Sequence, residues 1–316
     1  MIKYYLNDGN NLKEIENSQP DCWIYVTNPT ETEISELEED MNIDRDYIRA
    51  ALDEEEPSRI EKDEGTTLII LDYPIAEERG GSDNKTLSYY TTPMSIIITD
   101  KNVITVSAKE NVVLDELAKG VVKGVRPNLK TQFVFTILLR IAARYLQYLR
   151  QIDKISHYVE EQMYRSMTNQ GLIQLQDLEK SLVYFSTSLK TSQTVLDKLM
   201  RGRFLKLYEE DEELLDDVII EVKQATEMTN IYSNILGGTM DTFASMISNN
   251  LNIIMKRMTT ITIIMTVPTI VFSFYGMNLG PNAGGLPLAN IWFPIALSVL
   301  LSAAVGVIIT LIQKFK

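Results

Sequence analysis

The amino-acid sequence predicts an α+β body with a membrane tail: an N-terminal α/β domain, a long helical stalk and two C-terminal transmembrane helices. Three observations carry this expectation. Residues 258–313 contain no Asp, Glu, Lys or Arg, whereas the part before them is densely charged, acidic residues outnumbering basic ones 43 to 30 over the 316 residues. Short runs rich in Ile, Val, Tyr and Thr punctuate the first 107 residues, which is the composition of half-buried strands. From residue 204 the helical pattern meets no proline before Pro268, so one helix is expected to enter the apolar segment unbroken.

In the α/β domain (1–125), residues 23–26, 67–73, 94–99 and 103–107 read as strands. Asp100-Lys101-Asn102 forms a hairpin turn between the last two. Residues 32–41 and 44–52 read as helices, each opened by a capping residue, and 79–85 (RGGSDNK) as a mobile loop. Beyond Asn128 the pattern lengthens into an antiparallel helical pair (126–203), with helices over 131–169 and 172–199 broken at Asn169-Gln170-Gly171. The stalk (204–257) continues into the membrane hairpin (258–316), and the whole helix would be about 100 Å long. Val218, Val222, Ala225, Thr229, Tyr232, Leu236, Thr239, Phe243 and Met246 keep a seven-residue repeat along it. Gly237-Gly238 weakens it by about 1 kcal/mol per glycine relative to alanine, marking a bending point.

Residues 258–275 and 291–312 qualify as spans; at about 1.5 Å per residue they cover roughly 27 and 33 Å, close to the ~30 Å hydrocarbon core of a lipid bilayer. A buried hairpin in a soluble core would seldom stay charge-free through its connecting turn as well. Lys256 and Arg257 precede the first span, Lys314 and Lys316 follow the second, and the connecting loop has no basic residue. Both termini are therefore expected in the cytoplasm of a cell bounded by this inner (plasma) membrane. The opening MIKYYLNDGNN lacks the apolar region of a signal peptide, which agrees with that orientation. Tyr275, Trp292 and Phe293 sit at the outer ends, where an interfacial aromatic belt belongs.

The first span carries a polar stripe. Steps of four and three residues give Asp241, Ser245, Ser248, Asn252, Met255, Thr259, Thr262, Thr266, Thr269 and Ser273, one face of a continuous helix. Such a stripe is costly against lipid, so it is expected to face other helices or a water-filled path, although hydroxyls can also satisfy themselves on their own backbone. The second span has few polar side chains, and Ala303, Ala304 and Gly306 offer close packing. One chain supplies one polar stripe, so a closed polar channel requires several copies around an axis.

Several classes are disfavoured. No phosphate loop (GxxxxGK[ST]), nucleophile elbow or His-based acid and base pair is present, so neither an enzyme nor a nucleotide-driven pump is expected. No nucleotide or nucleic-acid partner is expected either. Cys22 and His157, the only cysteine and histidine, lie far from the spans in sequence, which argues against a soft zinc site in the pore.

The loop after the first span opens with Tyr275-Gly276-Met277-Asn278. Here the sequence resembles the CorA magnesium-transporter family, whose signature is Gly-Met-Asn at the outer end of the first of two C-terminal spans. The order of parts is similar too, down to the basic tail Lys314-Phe315-Lys316, as is the stretch Ser248-Asn249-Asn250-Leu251-Asn252 entering the pore. The resemblance implies a homopentameric funnel, embedded in the lipid bilayer, that conducts Mg²⁺ passively. It implies a ring of Asn278 amide oxygens with Gly276 carbonyls as selectivity filter, a form suited to a hydrated ion that sheds water reluctantly.

The same resemblance carries Asn252 over as a second hydrated-ion contact, and Met255 and Met258 as an apolar neck able to close by dewetting. A one-residue shift near Pro268 admits either Met258 or Thr259 on the axis. Asp241 would form a carboxylate ring at the cytoplasmic mouth. Asp217 matches one half of an intersubunit Mg²⁺ site that closes the pore, with Glu77 or Glu78 as its partner acid. The acidic runs 53–56 and 209–213 would concentrate divalent cations. Two departures bear on selectivity: residues 279–287 lack the acidic residue many relatives have after the Asn, and the stripe carries threonines deep in the membrane. Co²⁺, Ni²⁺ and Zn²⁺ remain alternative ions, and a non-conducting membrane-anchored sensor is the alternative from a different class.

Overall fold

The computed structural model describes residues 1–9, 11–63, 65–79, 86–166, 168–202, 204–277 and 292–314. The predicted loop at 79–85 falls almost wholly outside them, as do Asn278 and the rest of the segment to residue 291. The chain divides into two compact units, Met1–Met240 and Asp241–Lys316.

The first unit is built on a seven-stranded sheet. Its strands are β1 (Ile2–Asp8), β2 (Asn11–Ile15), β3 (Trp23–Thr27), β4 (Arg59–Asp63), β5 (Thr66–Arg79), β6 (Thr86–Ile98) and β7 (Val103–Ser107), in the order β2-β1-β3-β7-β6-β5-β4. Among the described residues only β3 and β7 pair in parallel; the other neighbours are antiparallel. The predicted turn closes the β6–β7 hairpin, in which Ile98 faces Val103 and the Thr99 amide donates to the Asn102 carbonyl at 3.0 Å.

Strand β3 is buried on both faces, and its side chains alternate between two cores. Ile24 and Val26 pack with Ile34, Leu37 and Ile48 from α1 (Glu31–Met41) and α2 (Arg45–Arg49). Trp23 faces the other way: its ring lies 5.3 Å from Phe133, and its indole N–H donates to Thr105 at 2.8 Å. Phe133 belongs to α4 (Lys130–Arg165), which with α5 (Asn169–Met200) follows the short α3 (Val112–Ala118). Helix α1 begins with a reciprocal capping box between Thr30 and Glu33, which satisfies amides the first turn leaves free.

Strands β5 and β6 extend past their outer neighbours. Strand β4 covers β5 only as far as Ile70, and β7 covers β6 only from Met94. Beyond those points Pro74 and Pro93 sit opposite Thr91 and Asp72. The amide of Tyr89 donates to Ser181 of α5 at 3.3 Å rather than across to β5, so the alternation places the nitrogens of residues 91 and 93 outward as well. Proline is tolerated there because no ladder bond is lost.

Helix α6 (Glu209–Tyr275) begins five residues later than expected. Asp211, only 3 % exposed, accepts the Tyr208 amide at 3.0 Å, a helix-start bond made before the long apolar repeat. Up to residue 240 the repeat is largely buried: Val218, Val222, Ala225, Thr229 and Leu236 are each 5 % exposed or less. Val218 and Val222 close an apolar cluster with Leu138 and Ile141 of α4 and Leu189 and Leu196 of α5. In the second unit, α7 (Trp292–Lys314) follows. Helices α6 and α7 are both long and apolar enough to cross a membrane.

Candidate functional site

The apolar end of α6 has two chemically different sides. Thr260, Ile264, Val267, Pro268, Val271 and Tyr275 are wholly or partly buried. Helix α7 covers this side: a Cβ built on Gly306 would lie 3.5 Å from Ile264 Cδ1, and the Tyr275 and Phe293 rings stand 6.2 Å apart. At about 100° per residue, Thr259, Thr262, Thr266, Thr269 and Ser273 fall about 140° to 180° around the helix from Ile264. All five are exposed.

Each threonine hydroxyl in this row donates to its own helix: Thr259 to the Met255 carbonyl at 2.8 Å, Thr262 to Met258 at 2.9 Å, Thr266 to Thr262 at 2.8 Å and Thr269 to Thr266 at 2.7 Å. The proton is thereby committed to the backbone, and the oxygen lone pairs are what the row presents outward. The row is an acceptor surface, suited to cations and to the hydrogens of their bound waters.

Towards the N-terminal end of the unit, Asp241, Ser245, Ser248, Asn252, Met255 and Met258 are also exposed, with the Ser245 hydroxyl donating to the Asp241 carbonyl at 2.9 Å. Taking the direction opposite Ile264 as the row's centre, Met255 lies on it, Thr259 is about 40° and Met258 about 60° away. Thr259 is thus a member of the row and Met258 borders it. At the other end, the Gly276 amide donates to the Phe272 carbonyl at 2.9 Å, and a Cβ at this position would meet that oxygen at 3.1 Å. A glycine lets the chain leave the helix here without that crowding. Met277 is exposed; Asn278 lies outside the described residues.

Asp217 is exposed on α6, and Glu77 and Glu78 are exposed near the end of β5. Among the described residues no three His, Cys, Asp or Glu side chains are placed to hold an ion together, so one chain by itself does not assemble Asp217 and these glutamates into a site. The acidic runs are partly consumed locally. Besides Asp211, Glu54 pairs with Lys109 at 2.8 Å, Glu56 pairs with Arg59, and Glu210 accepts from Gln132 at 3.1 Å.

The sequence model of the CorA-like Mg²⁺ transporter protein matches residues 19–314, nearly the whole chain. The chain belongs to this CorA-like family. Among similar proteins, the cobalt/magnesium transport protein CorA of Methanocaldococcus jannaschii is 27 % identical over 288 residues, covering 88 % of this chain and 86 % of its own. The magnesium transport protein CorA of Helicobacter pylori is 22 % identical over 287 residues, with 88 % and 85 % covered. The fold is similar to the complete structure of the M. jannaschii CorA magnesium transporter, at a TM-score of 0.78 and 24 % identity over 99 % of this chain and 96 % of that one.

For a CorA-family chain, the row of hydroxyls was legible from sequence, whereas the side that α7 covers was missed. The signal for it is the complement of the row: Ile264, Val271 and Tyr275 recur at the same helical spacing half a turn away.

Proposed function

We propose that this chain is one subunit of a homopentameric, membrane-potential-driven Mg²⁺ channel of the plasma membrane, with both termini cytoplasmic. The observation that carries the reading is the threonine and serine row of α6, turned away from the α6–α7 contact. A row of committed hydroxyls facing lipid would expose polar oxygen to hydrocarbon, a cost that copies arranged around a wet axis remove. In that arrangement Thr259, Thr262, Thr266, Thr269 and Ser273 line the path, Met255 and Met258 form an apolar neck, and Asn252, Ser248 and Asp241 lead to the cytoplasmic mouth. Asn278 side chains, with Tyr275, Gly276 and Met277 shaping the turn, form the outer filter. Their neutral oxygens hold the ion with its water shell on, which suits a small cation that dehydrates reluctantly.

The inside-negative potential supplies roughly 4.6 kcal/mol per divalent ion at about 100 mV, so transport needs no coupled fuel and no catalytic chemistry. Cytoplasmic Mg²⁺, bridging Asp217 of one subunit and Glu77 or Glu78 of a neighbour, closes the path when the ion is plentiful. Co²⁺ is the second candidate ion, because relatives that this chain resembles are named cobalt/magnesium transport proteins.

The test is flux into proteoliposomes carrying an internal Mg²⁺ indicator, under an imposed inside-negative potential. The wild-type chain is expected to admit Mg²⁺ without ATP, and Asn278→Ala to abolish entry while the oligomer stays assembled. Absence of wild-type flux sinks the channel reading; near-normal flux in Asn278→Ala removes the filter assignment alone.

A further inference from the structure

The single histidine of the chain is placed between two carboxylates of its own helix. On α4, His157 Nε2 lies 3.6 Å from Asp153 Oδ1, and Nδ1 lies 3.6 Å from Glu160 Oε2. The spacings are i−4 and i+3, which put all three on one face. Neither distance is a hydrogen bond, since side-chain bonds of this type close to about 3 Å. The first of them has another meaning. With metal–nitrogen and metal–oxygen bonds of about 2.1 Å, two ligands of a tetrahedral centre stand about 3.4 Å apart. The Nε2–Oδ1 gap is close to that edge, and the carboxylate on Nδ1 is what a metal-bound imidazole ordinarily uses to orient its ring and raise its basicity.

From this geometry we infer a binding site for a borderline transition cation of the Co²⁺, Ni²⁺ or Zn²⁺ type. His157 Nε2 and Asp153 are its protein ligands, Glu160 closes from 3.6 Å onto Nδ1–H when the ion binds, and water completes the shell. Imidazole suits these ions, whereas Mg²⁺ takes oxygen ligands and keeps its water, so the site separates the two classes. The donors line a cleft of about 10 Å³ between α4 and α6, with Tyr232 and Leu236 of α6 on its far wall. A bare ion fits there, and its waters lie on the open side, where the His157 side chain meets solvent. Two protein ligands make a site of modest affinity, consistent with the absence of any three-residue His, Cys, Asp or Glu cluster among the described residues. The only thiol, Cys22, is 0 % exposed and directly precedes β3, so it does not compete. The inference does not rest on the conduction reading: it concerns a face of the first unit and stands whether or not the chain conducts.

The experiment uses the purified full-length chain in detergent with excess Mg²⁺, titrated with Co²⁺ and followed by visible absorption. One Co²⁺ per chain is expected, displaced by Zn²⁺ and unaffected by further Mg²⁺. His157→Ala, at a position 68 % exposed and therefore harmless to folding, is expected to weaken binding at least tenfold. Glu160→Ala should weaken it about 10- to 100-fold through loss of the orienting partner. Absence of Co²⁺ binding by the wild-type chain overturns the assignment. So does an unchanged stoichiometry and spectrum in His157→Ala, or equal displacement by Mg²⁺.

Discussion

Gly306 of α7 stands against Ile264 of α6, leaving room for a Cβ at 3.5 Å from Ile264 Cδ1. That distance is an ordinary contact, so Gly306→Ala is expected to be neutral or mildly stabilising through better helix propensity. Gly306→Leu overfills the same space and should cost about 1–3 kcal/mol. Thermal unfolding of the solubilised chain reads the difference; an unchanged Tm in the leucine variant would mean that the two helices do not pack on this side.

The hydroxyl row opposite that contact allows a near-isosteric test. Thr266→Val keeps the shape and removes the acceptor oxygen, while the lost bond to the Thr262 carbonyl is supplementary to the helix ladder. Mg²⁺ flux is expected to fall about tenfold, the equivalent of ~1.4 kcal/mol on the barrier. Thr310→Val on α7, whose hydroxyl bonds the Gly306 carbonyl at 3.0 Å, serves as control and should leave flux unchanged. Equal flux in both variants would detach the row from conduction.

What sequence reasoning reached and what it missed have physical causes. The strands at 67–73 and 94–99 were cut at Pro74 and Pro93 because proline denies a ladder bond. In the structure these nitrogens point away from the hairpin partner, beyond the reach of β4 and β7, information that exists only once the register is set. Strands β1 and β2 escaped notice because their exposed residues include charged ones, as at Asp8, Lys13 and Glu14, which suits a pair whose outer member, β2, is the sheet edge. The hydroxyl row was legible because its spacing is the helix period itself. The metal geometry at His157 was not, since a spacing of i−4 and i+3 fixes a face but not which ring nitrogen meets which carboxylate.

Asp72 offers a pH test of the first unit. Burial against α4 and α5 raises its pKa above the ordinary 3.8, partly opposed by a hydrogen bond from Ser188. With the folded value above the unfolded one, the native state binds more protons between the two. Stability therefore falls as pH rises through that window, and the loss persists above it. Asp72→Asn keeps a partner for Ser188 without the buried charge. It is expected to raise stability at neutral pH by about 1 kcal/mol, a typical single-site effect, with the gain vanishing below pH ~4. A gain independent of pH would assign the effect to packing instead.

Glu116 provides the opposite sign. Burial alone would raise its pKa, but Arg144 at 2.5 Å and Arg140 at 3.1 Å from α4 prevail and hold it below the usual carboxylate range. Its contribution is present above the unfolded pKa and is lost as pH falls through the folded one. Glu116→Gln should cost about 1–2 kcal/mol at neutral pH, as expected for charge-assisted bonds between α3 and α4. In chemical denaturation the cost should disappear in acid; persistence there would contradict the ionic origin.

The regulatory proposal can be separated from folding because of where Asp217 lies. Its neighbours Leu215 and Val218 are buried at 1 % and 0 % exposure, while Asp217 and Asp216 face solvent. Asp217→Ala should therefore change stability by no more than about 0.5 kcal/mol. A shift in the Mg²⁺ concentration that closes the path then reports lost binding rather than a damaged helix. Closure is expected to require several-fold more Mg²⁺, and comparing Glu77→Ala with Glu78→Ala identifies the partner acid as the one that reproduces the shift. If Asp217→Ala closes at the wild-type concentration, the ion acts elsewhere, and the exposure of this carboxylate has no regulatory meaning.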